Sequence, residues 1–237
     1  RAEILSQRAN NNYKPINSNI QAVTHCNLDF KSYSAIFEHA KEKIRKGETY
    51  QIKLSQRYQT ETTIRPLDAF IRLMNLNPSP EAFLWKQKGY ALVSCSPETV
   101  INTHSNKIIT RPIGGTWDIS KNNTKHSIEH FRSDAKENAE HRMLVDLERN
   151  DIGRICRHGS VKVKHLAQLE AYVHLYHLVS TIEGELRNDV TGQEIIRSML
   201  PGGSISGCPK HHTMKLIDVL EPCKRSFYTG SFGTIDA

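Results

Sequence analysis

From Val161 to Leu186 the chain reads VKVKHLAQLEAYVHLYHLVSTIEGEL. Two runs in it, VKVKHL at 161–166 and YHLVSTIEGEL at 176–186, are rich in β-branched and aromatic residues and predict strands. Across the chain, strands of this kind come in groups with helices between the groups, not in strict alternation with them. A parallel doubly wound sheet needs a crossover helix for each strand, so the expected class is α+β with mostly antiparallel sheet.

Upstream, Tyr33, Ile36, Phe37, Ala40 and Ile44 recur at spacings of three and four, and Gly47 stands where such a helix stops. The period then changes to two. Tyr50, Ile52 and Leu54 alternate with Gln51, Lys53 and Ser55, which predicts a strand with one polar face. Pro66 opens a second helix that runs to Leu76, and residues 77–80 end it. AFLW at 82–85 and YALVS at 90–94 flank KQKG, and ETVIN at 98–102 can pair with KIIT at 107–110, so a meander of two consecutive hairpins is expected. The polar run SKNNTKHS at 120–127 leads into one long helix from about Glu129 to Leu147, which RNDIG should break. Downstream of the quoted stretch, Thr191 and Glu194 form a capping box for a helix ending near Leu200. PGGSISG then leads to Pro209 and a helix to about Leu220. The closing YTGSFGTIDA reads as a strand just begun, so a C-terminal truncation is expected. Residues 1–30 are read as a lead-in and 31–237 as one domain.

Composition narrows the function. The 237 residues are 38% hydrophobic and 24% charged, with a mean hydropathy of −0.53, as in a globular protein with a polar surface. No run approaches the roughly 20 apolar residues of a membrane helix, and the start has no signal-peptide core. A cytoplasmic protein is expected, with its natural N-terminus upstream of Arg1. Five cysteines without a C-x-x-C pair read as reduced thiols. Thirty-two Lys and Arg against 25 Asp and Glu give a net charge of +7. Because the basic residues are scattered, a small anionic ligand is the better reading of that excess than nucleic acid.

Several residues are able to carry chemistry. PGGSISGCPK at 201–210 combines glycines that let backbone N–H groups approach a ligand with a helix start that favours an anion; the plainer reading is a flexible interhelical loop. Glu137 and Glu140 share one helix face and suit a hard divalent cation, or are simply solvated. His174 and His177 precede a strand and are placed to act as a base or to orient a substrate. Glu98, after Ser96 and Pro97, is a general acid if buried and a turn carboxylate otherwise. Asp146, Arg149, Asn150 and Asp151 read as a structural, helix-ending cluster.

In order along the chain, GETYQIKLSQRY, SPET, RPIGGT, AEHRMLVDLERNDIGRI, HLVSTIEGEL, PGGSISGCPK and LEP resemble the successive motifs of the chorismate-utilising enzymes. That family includes component I of anthranilate synthase and of aminodeoxychorismate synthase. The resemblance, from about Tyr33 to Gly233, implies antiparallel sheets packed face to face with helices outside. It makes Glu137 and Glu140 magnesium ligands and Glu98 the acid that helps the ring hydroxyl leave. It makes His177 the active-site histidine. Gly203, Ser204, Gly207 and Lys210 fall in the loop that wraps the substrate, Tyr228 near its carboxylates, and Gly114, Gly115 and Thr116 along the pocket. Gln51 stands where water-using relatives carry a lysine, which implies ammonia as nucleophile. Gly114 stands where aminodeoxychorismate synthases usually carry a lysine that attacks the ring, so another amine such as Lys53, or direct addition of ammonia, has to serve. The resemblance implies aminodeoxychorismate synthase chemistry in folate synthesis, with anthranilate synthesis or a non-catalytic chorismate-binding domain as alternatives. It further implies Mg2+ and a glutamine amidotransferase partner that supplies ammonia. The arginine-bearing strand and further glutamates that follow in family members are not in this sequence.

Overall fold

The computed structural model describes residues 23–119, 125–172 and 175–236. His174, the first 22 residues and most of the SKNNTKHS run lie outside them. In chain order the elements are β1 (Thr24–Cys26), α1 (Phe30–Arg45), β2 (Gln51–Ile52), β3 (Tyr58–Thr60), α2 (Pro66–Leu76), β4 (Glu81–Gln87) and β5 (Tyr90–Ser96). There follow β6 (Asn102–His104), β7 (Lys107–Thr110), β8 (Ile113–Asp118), α3 (Lys125–Ser133), α4 (Ala135–Gly153), β9 (Lys162–Ala171) and β10 (Leu175–Glu185). The last are α5 (Gly192–Met199), β11 (Gly207–Cys208) and α6 (Lys210–Leu220). Every described strand pair with a register is antiparallel, and the class is α+β as expected.

The chain divides into two compact units. Of the described residues, the smaller holds 23–25 and Tyr58–Pro97. In it the β4–β5 hairpin turns at Gly89, whose φ of +91° suits a residue without a Cβ. Helix α2 packs on that hairpin. Its first turn holds the buried Asp68, which accepts from Arg65 Nε at 2.9 Å and Nη2 at 3.0 Å.

Of the described residues, the larger unit holds Cys26–Arg57 and those from Glu98 onward. Its centre is β10. One edge of this strand pairs with β7 through Ile182–Glu185 and with β8 through Leu175–Val179, and the other edge pairs with β9. Between the first two segments Ser180 N–H donates to Pro112 O at 3.1 Å. Helix α4 covers this sheet, and Ile108, Val145, Ile152, Ile155, Ile182, Leu186 and Met199 form the dry core beneath it. Each fully buried aliphatic side chain of this kind stabilises the fold by about 1.5–3 kcal/mol relative to exposure.

Five local expectations are corrected. The single helix from Glu129 is two. Asp134 leaves helical geometry and its carboxylate accepts from Glu137 N at 2.9 Å, so it caps a new helix; the aspartate followed three residues later by glutamate is a start signal that the apolar period conceals. RNDIG does not end α4, because Asp151 and Ile152 are buried and carry the helix to Gly153. The two hairpins do not form one meander: β4–β5 is a sheet of its own, while β6–β7 belongs to the five-stranded sheet. The first strand of that second hairpin begins at Asn102, which leaves Glu98 in irregular backbone. Residues 226–229 form a turn instead of a strand, closed by Tyr228 N–H to Arg225 O at 3.0 Å and Gly230 N–H to Phe227 O at 3.1 Å.

Two short strands position the site. β2 pairs with β11, with Gly207 opposite Ile52 and Cys208 opposite Gln51. Gly207 has φ +147°, and a Cβ there would lie 2.0 Å from Gln51 O. Only glycine permits that approach. Arg225 and Glu221, both largely buried, form a two-pronged ion pair at 2.6 and 2.9 Å. The same guanidinium donates to Lys53 O at 2.6 Å and Ile205 O at 3.0 Å, and Ser55 N–H donates to Glu221 Oε1 at 2.8 Å. One cation thus ties the backbone after β2 to the loop before β11. Gly207→Ala should therefore lower stability by roughly 2–4 kcal/mol in urea unfolding. Gly202→Ala, where a Cβ meets only ordinary contacts at 3.7 and 3.8 Å, should change it by less than about 0.5 kcal/mol.

Candidate active site

A cavity of about 180 Å3 opens in the larger unit. Gln51 and Lys53 reach it from β2 and the residue after it, Gly114, Gly115 and Thr116 from β8, Glu140 and Leu144 from α4, His177 from β10, and Ser204 from the loop before β11. The alternation predicted for residues 50–55 accounts for Gln51 and Lys53 facing the same space. Thr116 lies within β8.

Glu98 stands behind Ser204. The Ser204 hydroxyl donates to Glu98 Oε2 at 2.9 Å and lies 3.0 Å from Oε1, and Ile113 N–H donates to Oε1 at 3.4 Å. Burial pushes this carboxyl above its ordinary range; the Ser204 and Ile113 donors and the Lys53 ammonium oppose that push without cancelling it. A partly buried carboxyl pushed upward in this way, with donors ready to receive its anion, has the properties of a general acid.

Next to it lies an acidic residue that the sequence reading passed over. Glu148 is buried, accepts from Thr110 Oγ1 at 3.1 Å, and is pushed up to about 7 by burial and by the neighbouring charges of Asp151 and Glu98. Its signal was visible as a charged residue on the apolar stripe of Leu144, Val145 and Ile152. Asp151 itself is paired with Lys210 at 2.6 Å. Lys210 also donates to Ser198 O at 3.1 Å and Met199 O at 3.3 Å, the last carbonyls of α5. All three of its donors are committed and it is not among the residues that line the cavity, so in this structure it acts as an internal clip.

His177 does line the cavity. Its Nδ1 lies 2.9 Å from Gly115 O, and a carbonyl only accepts, so the neutral ring carries its proton on Nδ1 and keeps the Nε2 lone pair. Thr116 Oγ1 lies 3.3 Å from the same nitrogen, and Tyr172 packs edge-on with ring centres 5.1 Å apart. Gly114 backs onto His141, which is wholly buried and joined through Nε2 to Ser180 Oγ at 2.6 Å. A Cβ at Gly114 would stand 2.8 Å from His141 Nδ1 and 3.2 Å from Leu144 Cδ1. A lysine at this position does not fit unless the buried imidazole moves.

Of the other expected residues, Gly203 packs on Leu147, whose Cδ1 a Cβ would meet at 3.2 Å, and Gly207 serves the β2–β11 pairing. Tyr228 is 62% exposed in the C-terminal turn and does not line the cavity. Glu137 and Glu140 lie one turn apart on α4. Glu140 lines the cavity, and Glu137 Oε2 would be 3.1 Å from a Cβ on Gly115. Both carboxylates adjoin Lys136, at 4.0 and 3.4 Å. Among the described residues no group of three or more His, Cys, Asp or Glu gathers into a metal cluster. Two hard oxygen donors beside an open cavity fit magnesium, which commonly takes one or two carboxylates and completes its shell with water and substrate oxygens.

A family profile described as chorismate binding enzyme matches residues 2–237. The chain belongs to this family. Its similarity to curated members is substantial: 40% identity over 212 residues to the anthranilate synthase component I-like protein of Synechocystis, which covers 88% of this chain and 44% of that one. To aminodeoxychorismate synthase component 1 of Bacillus subtilis the identity is 38% over 203 residues, covering 85% and 43%. The solved structure of anthranilate synthase component I from Streptococcus pneumoniae superposes with a TM-score of 0.76 at 30% identity, over 93% of this chain and 49% of that one. The chain thus spans less than half the length of these chorismate-family relatives.

The raised pKa of Glu148 carries a stability consequence. The folded chain holds a proton up to about pH 7 that the unfolded chain gives up near 4.5. Stability therefore falls as pH rises through that window, by roughly 3–4 kcal/mol for this group. Glu148→Gln should remove most of that slope in urea unfolding compared at pH 5 and pH 8. An unchanged slope would refute the burial of an ionisable carboxyl as its cause.

Proposed function

We propose that the cavity aminates chorismate with ammonia, giving 4-amino-4-deoxychorismate and water on the route to 4-aminobenzoate and folate. The observation that carries this reading is the half-buried Glu98 carboxyl, held by Ser204 at a cavity that also presents His177 and Gln51. Glu98 gives its proton to the departing ring hydroxyl, which leaves as water, and the Ser204 hydroxyl and Ile113 amide receive the resulting carboxylate. The Nε2 lone pair of His177 is the acceptor on β10 for a proton from the incoming ammonia or for a substrate hydrogen bond. Gln51 offers a neutral amide that orients a nucleophile without activating water. Glu137 and Glu140 would hold magnesium, which supplies positive charge for the ring carboxylate. Ammonia from a separate glutamine amidotransferase component completes the proposal, since component I is what the similar proteins are named.

A second product is favoured by one observation. Gly114 carries no amine and its Cβ position is closed by His141. A covalent lysine adduct at that position is thereby removed, and direct addition of ammonia suits anthranilate formation, with loss of pyruvate and water, equally well. PGGSISG and YQIKLSQR support the first product, and the names of most similar proteins support the second.

The test supplies chorismate, ammonium and magnesium, with and without aminodeoxychorismate lyase. Appearance of 4-aminobenzoate only with the lyase supports the first product, fluorescent anthranilate without it the second, and no turnover of either kind refutes both. Glu98→Gln should lower kcat by about 10²–10⁴-fold. Glu140→Ala should abolish magnesium-dependent binding of chorismate in calorimetry while thermal unfolding stays within a few degrees of the parent, since the Glu140 side chain is 57% exposed.

A further inference from the structure

The hydrogen bond from Nδ1 to Gly115 O fixes which nitrogen of His177 carries the proton, but a ring held at one nitrogen is still free to tilt about that contact. Tyr172 opposes the tilt. Its ring packs against the imidazole at 75°, with centres 5.1 Å apart, the edge-on arrangement that aromatic pairs favour. The sheet dictates this meeting. β9 and β10 set Glu170 opposite His177, so the two side chains share one face, and Tyr172, two residues beyond Glu170, shares it as well. Tyr172 N–H donates to Leu175 O at 2.7 Å, which ties the end of β9 to the start of β10.

The far end of the Tyr172 ring is held too. Burial pushes its phenol up, the charge of Glu170 and a hydrogen bond with Glu170 push the same way, and Arg111 opposes them. A phenol in that setting keeps its proton and donates it to the Glu170 carboxylate. Glu170 is in turn ion-paired with Arg111 Nη2. Arg111 N–H donates to Thr99 O at 3.2 Å, and Thr99 follows Glu98 directly. The Arg111 and Glu170 side chains are 40% and 31% exposed, and an ion pair so placed adds little to stability. We propose that Tyr172, Glu170 and Arg111 form a positioning network: Tyr172 braces the His177 ring, Glu170 and Arg111 hold Tyr172, and the Thr99 contact ties the brace to the segment that carries Glu98. This rests on the reading of His177 as the acceptor in the proposed reaction. The three residues act through His177 and are not themselves catalytic.

The experiment compares the chain with Tyr172→Leu, Tyr172→Phe, Glu170→Gln and the double variant Tyr172→Phe/Glu170→Gln. It measures kcat and KM with chorismate, and reads the His177 tautomer from nitrogen NMR of the ligand-free chain, the signal being assigned by its loss in His177→Asn. Tyr172→Leu should lower kcat by about 10–100-fold with KM within about threefold, and should convert a single Nδ1–H tautomer into a mixture. Tyr172→Phe keeps the ring edge and should recover most of that loss. Glu170→Gln should cost a few-fold in kcat while its thermal unfolding matches the parent. The double variant should lose no more than the worse single variant, because both changes cut the same chain of contacts. Unchanged kcat in Tyr172→Leu, or losses that simply multiply in the double variant, would overturn the network. A single Nδ1–H tautomer retained in Tyr172→Leu overturns it as well, and that reading stands even where the parent turns over no chorismate, a result that would refute the proposed function separately.

Discussion

Strand β10 has to satisfy partners on both edges at once, and the site follows from how it does so. Along one edge its two halves serve different strands, β7 and β8, and the change between them falls at Ser180, whose N–H donates to Pro112 O. The buried Ser180 hydroxyl accepts from Ala167 N on β9 at 2.9 Å and meets His141 of α4 at 2.6 Å. One residue thus joins three elements that contribute to the larger unit. A register shift at His177 and Leu178 places the histidine against Gly115 and Thr116, as bulges near functional sites commonly re-aim a side chain.

Charge is distributed around this frame in a consistent way. Buried charges are paired or protonated: Lys210 with Asp151, Arg225 with Glu221, and Glu148 raised towards neutrality. Breaking such a buried pair strands an uncompensated charge, typically costing about 3–5 kcal/mol, which explains why these groups are unavailable to a ligand. Groups at the cavity are the ones left with capacity to spare. Glu98 is pushed above its ordinary range by burial, His177 turns Nδ1 to Gly115 O, and the Lys53 side chain lines the cavity. The division between spent and available charge separates the frame of the family fold from its chemistry.

Much of the fold was legible from spacing. The helices at Phe30–Arg45, Pro66–Leu76, Gly192–Met199 and Lys210–Leu220 lie where period, proline and the Thr191–Glu194 capping box place them, and the capping box is present in full. The strands of the central sheet lie within a few residues of the predicted runs. The reading failed where a local signal met a long-range one. The apolar period ran through Asp134, and a polar RNDIG looked like an end although the core holds Ile152.

The sequence by itself determined which residue types the site has available: a glutamate after a proline, a histidine at a strand, two glutamates on one helix face and a glycine-rich run before a helix. These are local properties, set by neighbours within a turn or a strand. Which of two lysines faces the cavity, which hydroxyl holds Glu98 and why residue 114 has no side chain were decided by contacts between distant segments. Ser204 and Glu98 are 106 residues apart, and Lys210 and Asp151 are joined only because α4, α5 and α6 converge. Burial and pairing are properties of such convergence, and they decide whether a charged group is spent on the fold or left for chemistry.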